Sequence, residues 1–191
     1  MKKAIKNLWL CLALLLLSVG VNAQQTAKPK FIIPQYADYS IAQNISDNGK
    51  WVIVAPIQLE YQAKGNVRLT PVDNGKSIIV KDKNETDEQA AGKYAANDVT
   101  DDGNIVVGGV GGYTAEIFKG KPAYWNRQTQ TWTQLPLPEG YVYGEVFCVT
   151  PDGKYAVGRA LDSNESSFDC KRYGVMWDLT TNTIVDLPNR P

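Results

Sequence analysis

One turn motif occurs three times in this chain, and no other feature constrains its fold as strongly. The copies are Ile45-Ser46-Asp47-Asn48-Gly49-Lys50, Val99-Thr100-Asp101-Asp102-Gly103-Asn104 and Val149-Thr150-Pro151-Asp152-Gly153-Lys154. Their glycines lie 54 and then 50 residues apart (103 − 49, 153 − 103). Asp47, Asp101 and Pro151 suit the first central position of a type I turn, and the next Asn or Asp continues it. Gly49, Gly103 and Gly153 then supply the positive φ that closes it as a bulge. Ser46, Thr100 and Thr150 stand where a hydroxyl bonds the turn backbone. These glycines therefore mark structural turns. A calcium loop does not fit, because no Asp-x-Asp-x-Asp-Gly series with a downstream Glu follows.

The runs flanking each turn are rich in β-formers: Ser40–Ser46 with Lys50–Ile57, Tyr94–Thr100 with Asn104–Val110, and Glu145–Thr150 with Lys154–Ala160. A second strand pair follows each hairpin. It is clear in Ala123–Asn126 with Thr131–Pro136 and in Gly174–Asp178 with Thr183–Pro188, and degenerate in Val67–Val72 with Ser77–Lys81. Four short strands in a meander, repeated at this period, is the pattern of a β-propeller blade. The expected fold is all-β, with three four-stranded meander blades at about residues 36–82, 93–136 and 144–188. Closed propellers carry about 4–8 blades, so three make a partial one. Trp125 and Trp177 are 52 residues apart, in step with the turns. A tryptophan at one position of successive blades predicts inter-blade core rather than a ligand platform.

The run Val149–Gly158, followed by Val175-Met176-Trp177 and Asp186-Leu187-Pro188, resembles the HAF-type extracellular repeat. It is also similar to the Asp-Gly-Lys propeller repeats of Tol-type translocation proteins. The resemblance covers most of residues 36–188, and Val107-Gly108 and Val157-Gly158 fit it, whereas the first blade has Val54-Ala55 there. It implies a secreted propeller and carries no catalytic residue.

Residues 1–23 read as a secretory signal peptide. Lys2, Lys3 and Lys6 precede an apolar run from Leu8 to Val19, and Val21-Asn22-Ala23 offers small residues for cleavage. No other segment approaches the ~20 apolar residues of a spanning helix, so no membrane insertion is expected after cleavage. The Lys-Lys start points to a bacterial chain that is periplasmic or secreted. Residues 24–35 then hold Phe31-Ile32-Ile33-Pro34, which resembles Ile184–Pro188 and is expected to act as a closing strand ahead of the partial propeller at 36–191. The inner strands of that last blade would lie past Pro191, so either self-association or missing C-terminal blades is expected. Removing three signal lysines from 20 basic and 20 acidic residues leaves 17 against 20. That balance gives nucleic acid no footing. Cys148 and Cys170 are expected two strands apart, ~9.5 Å, which disfavours a bridge.

The chain contains no histidine, which removes Ser-His and Cys-His pairs and most zinc and copper sites. Neither G-x-S-x-G nor a P-loop occurs. No catalytic, cofactor-binding or metal-binding residue is assigned, and the expectation is a protein that is not an enzyme. Paired loop carboxylates leave a glycosidase or lyase as one alternative, and a fragment of a larger propeller is another. Binding is expected on the face that receives the long connections Gln58–Asn66, Gly111–Lys121, Leu161–Arg172, Asp82–Lys93 and Leu137–Gly144. Their aromatics are Tyr61, Tyr113, Phe118, Tyr141, Tyr143 and Phe168, interleaved with acids such as Glu60, Glu116, Glu139 and Asp169. Such surfaces suit a protein or glycan, although the same rings also form small satellite cores under loops.

Overall fold

The computed structural model describes residues 40–56, 65–73, 75–111, 120–162 and 170–186. The signal segment and Phe31–Pro34 lie outside them. The fold is all-β, with three antiparallel meander sheets of four strands each. Blade 1 holds β1 (Ser40–Ile45), β2 (Trp51–Pro56), β3 (Arg68–Pro71) and β4 (Ile78–Ile79). Blade 2 holds β5 (Tyr94–Val99), β6 (Ile105–Val110), β7 (Lys121–Asn126) and β8 (Thr131–Gln134). Blade 3 holds β9 (Tyr143–Val149), β10 (Tyr155–Leu161), β11 (Arg172–Asp178) and β12 (Thr183–Ile184). Among the described residues no helix is long and apolar enough to cross a membrane.

The repeated turns fold as their residues dictate. Gly49, Gly103 and Gly153 have φ of 71°, 68° and 72°, which only glycine adopts at little cost. Each glycine N–H donates to the carbonyl of Ser46, Thr100 or Thr150 at 2.8–2.9 Å. The hydroxyls of those residues accept the N–H of Trp51, Ile105 and Tyr155 at 3.0 Å. They donate in turn to Asn48, Asp102 and Asp152. The middle polar residue of the motif is thus a hydroxyl acceptor as well as a turn former.

Each innermost strand carries a bulge that sequence reading missed. Register shifts fall between Ala42 and Asn44, between Ala96 and Asp98, and opposite Val157 and Gly158. Gln43, Asn97 and Phe147 are the extra residues, each six before its turn glycine. Opposite the bulges of blades 2 and 3 sit Gly108 and Gly158, where an added Cβ would meet the carbonyl oxygens of Ala95 and Glu145 at 2.1 and 2.0 Å. Val54 pairs with Ala42 as Gly108 pairs with Ala96. The first blade therefore places Ile53-Val54, not Val54-Ala55, in the Val-Gly slot.

Two apolar cores lie in the seams between successive blades. Ile53, Leu69 and Val80 of blade 1 meet Val99, Val106 and Trp125 of blade 2. Val107 and Leu135 of blade 2 meet Val146, Ala156, Val175 and Trp177 of blade 3. Both tryptophans are fully buried, and each indole N–H reaches back to the previous blade, Trp125 to Lys81 O and Trp177 to Pro136 O, at 2.8 Å. Trp125 pairs with Val106 across β6 and β7, as Trp177 pairs with Ala156 and Thr70 with Val52. Blade 1 has Thr70 in the tryptophan position, which accounts for its degenerate sequence.

The 82–93 connection contains one short helix, α1 (Asp87–Ala90). Thr86 caps it and Gln89 completes a capping box, a Thr-x-x-Gln signal present in the sequence but read there as loop. Cys148 is exposed and Cys170 buried, and no disulfide joins them.

Candidate functional site

Strand direction brings the starts of β7, β9 and β11 to one end of blades 2 and 3, beside the ends of β6 and β10. Tyr143 opens β9 and its ring lies 5.6 Å from the Lys121 ammonium, which opens β7. Lys121 also donates to the Val142 carbonyl. Tyr141 packs on the blade 2–blade 3 core and meets Tyr173 of β11 with ring centroids 5.4 Å apart, tilted 40°. Val142 and Tyr173 are among the large apolar residues left exposed. The end of the seam is therefore a small platform of two tyrosines, a valine and a charge-capped tyrosine. Such a surface offers flat apolar area with polar tips, suited to stacking and hydrogen bonding.

A second polar grouping runs across the innermost strands at the bulges. Asn44 donates through Nδ2 to Asn97 O and to Asp98 Oδ1, each at 3.0 Å. Asp98 Oδ1 also accepts the Val99 N–H, and its Oδ2 accepts the Val149 N–H of blade 3, both at 2.9 Å. Asn97 donates to Glu145 Oε1 at 3.0 Å and to Val146 O at 2.7 Å. Buried Glu145 pairs with Arg159 at 3.3 Å, whose guanidinium lies 5.2 Å from the Phe147 ring. Burial raises the Asp98 pKa above its ordinary value, only partly opposed by the Val149 and Val99 amides, and the Asp47 carboxylate adds to the rise. The thiol of the otherwise exposed Cys148 is pushed up as well, first by partial desolvation of its sulfur and then by Asp98. A thiol held in its neutral form is a poor nucleophile.

Of the six aromatics expected to form a ligand face, the structure brings Tyr141 and Tyr143 to the long-connection end. Tyr61, Tyr113, Phe118 and Phe168 lie outside the described residues. Tyr141 acts first as seam packing, the satellite-core role, while Tyr143 keeps its face toward Lys121. Sequence reading missed Lys121 and Tyr173 as members of the platform, and Asn97, Asp98, Glu145 and Arg159 as a network. The glycines at 108 and 158 held a usable signal for the network: glycine inside a strand marks a bulge or a close backbone approach.

Three consecutive meander sheets, each with a Gly-closed inner turn and two with a seam tryptophan, define the chain as built from β-propeller blades. Neither a protein-family model nor a curated protein matches the sequence. Solved structures do resemble it. TolB from Acinetobacter baumannii superposes with a TM-score of 0.50 at 12% identity, covering 77% of this chain and 31% of that one. A protein assigned as TolB from Agrobacterium tumefaciens gives 0.46 at 13%, covering 76% and 45%. A puromycin-hydrolyzing peptidase from Mycobacterium tuberculosis gives 0.44 at 13%, covering 78% and 22%. At such identities the likeness is one of fold, in line with the Tol-type resemblance, and the chain spans less than half the length of each of these structures. The expectation of a protein that is not an enzyme is corrected here. Structures similar to this chain include that peptidase and a puromycin hydrolase.

Proposed function

We propose that this chain is an exported propeller module that binds a protein or glycan at the end where its long connections converge. The observation that carries the reading is the Tyr143–Lys121 pair beside exposed Val142 and Tyr173. Three strand starts and a connection hold these groups on a rigid sheet edge, and loops on rigid scaffolds are where recognition concentrates. Tyr61, Tyr113, Phe118 and Phe168 would extend the same surface from neighbouring connections. Export rests on the reading of residues 1–23 as a signal peptide, and periplasmic or extracellular placement follows from it. The resemblance to HAF-type and Tol-type repeats supports the same setting.

A glycan array and a pull-down from envelope extract test the reading, each run with wild type and Tyr143→Ala. The expected result is a bound species lost in the variant, with unchanged melting. Binding indifferent to Tyr143→Ala would place the ligand elsewhere and overturn the proposed face.

A further inference from the structure

Each seam inside the chain is keyed by one side chain seated in one socket. From blade 1, the Trp51 ring lies against Gly103 of blade 2, where an added Cβ would come within 2.4 Å of it. The Arg127 guanidinium covers that ring at 4.5 Å. From blade 2, Ile105 takes the matching place beside Gly153 and in the cluster that holds Leu179 of blade 3. The matches are set by register. Trp51, Ile105 and Tyr155 each follow their turn glycine by two residues. Val72, Arg127 and Leu179 each donate a backbone N–H at 2.8 Å to the carbonyl between that glycine and that key residue.

The series runs off both ends of the described sheets. At blade 1 the socket is open among the described residues, none of which lies within 4 Å of a Cβ built on Gly49. A cavity of about 380 Å³ opens there, lined by Gly49, Lys50, Trp51, Pro71, Val72 and Asp73. At blade 3 the next key, Tyr155, is half-buried with the Lys154 ammonium 4.8 Å from its ring. A second pairing obeys the same rule. Ile53 with Val99 belongs to the first core, and Val107 with Val149 to the second. The next members in register, Val157 and Ile45, are 44% and 50% exposed, where Ile53 and Val107 are 0% and Val99 is 3%.

We propose that two copies of this chain join head to tail. Tyr155 of each copy enters the Gly49–Val72 cavity of the other, and Val157 of each covers Ile45 of the other. The contact continues an interface the chain already makes twice within itself. The three described blades of each copy make six in such a dimer, within the ~4–8 of known rings. The two junctions are identical heterologous contacts related by a two-fold axis, so the assembly closes instead of growing. Closure covers apolar positions that a single copy leaves in water.

Light scattering and sedimentation equilibrium on the purified chain should give twice the chain mass at micromolar concentration. Ile45→Asp and Val157→Lys, both at exposed positions, should each retain the monomer fold by circular dichroism. Each should also weaken the dimer at least about 100-fold, since an unpaired charge is buried at both junctions. The double variant should recover the dimer, because every lysine then faces an aspartate across a junction. A monomer throughout the micromolar range overturns the proposal. So does a dimer that Val157→Lys weakens and Ile45→Asp does not, which would mean tail-to-tail pairing. Open filaments overturn closure.

Discussion

The two seams within the chain share one backbone plan and differ in what fills it. Both use a bulged inner strand, a positive-φ turn glycine and a tryptophan whose N–H ends on a carbonyl of the previous blade. The seam between blades 1 and 2 is then filled by Trp51 under Arg127 and laced by Asn48, whose N–H and Nδ2 reach Asp101 Oδ1 and O at 2.7 and 2.8 Å. The seam between blades 2 and 3 is aliphatic at the same place, with Ile105 near Leu179 and one backbone bond from Asp101 N to Pro151 O at 3.3 Å. Backbone geometry thus sets the blade spacing, and the filling is free to vary in polarity. A repeat can drift far in sequence while its architecture holds.

If the plan is shared, the tryptophans should be nearly equivalent and should matter most. Trp125→Ala and Trp177→Ala should each cost about 3–5 kcal/mol in urea unfolding, from lost burial plus the cavity left behind. A cost for one several-fold below the other would break the comparison. Next in size come the bulge glycines. Gly108→Ala and Gly158→Ala should each cost about 1–3 kcal/mol, because the new methyl group meets backbone that can move only by distorting the bulge. A neutral result at either position would show that the bulge gives way freely.

The filling predicts an asymmetry. Arg127→Ala should cost about 0.5–1 kcal/mol through the cation–π contact and shift Trp51 fluorescence, whereas Leu179→Arg should not stabilise the second seam, which has no aromatic key. The smallest effect is in pH dependence. Burial pushes the Glu85 carboxyl up, but bonds from Lys93 and Tyr94 outweigh it and hold it below its ordinary 4.5. Its contribution is present above that unfolded value and is lost as pH falls through the lowered folded one. Asp98 runs the other way: its raised pKa favours the folded state at low pH, and that gain disappears as pH rises through the folded value. Thermal melts across pH 3–6 should therefore show a flatter acid limb in Glu85→Gln than in wild type. An unchanged limb would remove Glu85 from the acid response of the first connection.

Turns and strand pairs were legible because their chemistry is local. A Ser or Thr, two turn formers and a glycine fix a hairpin wherever they occur, and the alternation of Val, Ala and Trp shows which strands follow. Tryptophan periodicity likewise located the seams. The bulges were not legible as a repeat, since Gln43, Asn97 and Phe147 share no chemistry; only the opposite strand records them, in two glycines and one valine. The valine of the first blade therefore hides the slot, which lies one residue before the Val54-Ala55 that the motif suggests. For the candidate site, Tyr143 could be placed at its end by strand direction alone. Lys121 joins it through a neighbouring blade, and no local pattern announces a contact between residues 22 apart (143 − 121).

The Asp98 carboxylate has a consequence for how the chain opens. One oxygen holds the Val99 amide and the Asn44 side chain, and the other holds the Val149 amide. A single residue of the middle blade thereby secures a strand on either side of it. Freeing either outer blade leaves this partly desolvated carboxylate short of one donor, and freeing the middle blade strands donors on both neighbours, so the blades should not open one at a time. In native-state hydrogen exchange, the Val99 and Val149 amides should behave as one cooperative unit, exchanging at a common rate despite lying in different sheets. Asp98→Ala should uncouple them, leaving the outer blade to open alone while the middle blade stays protected.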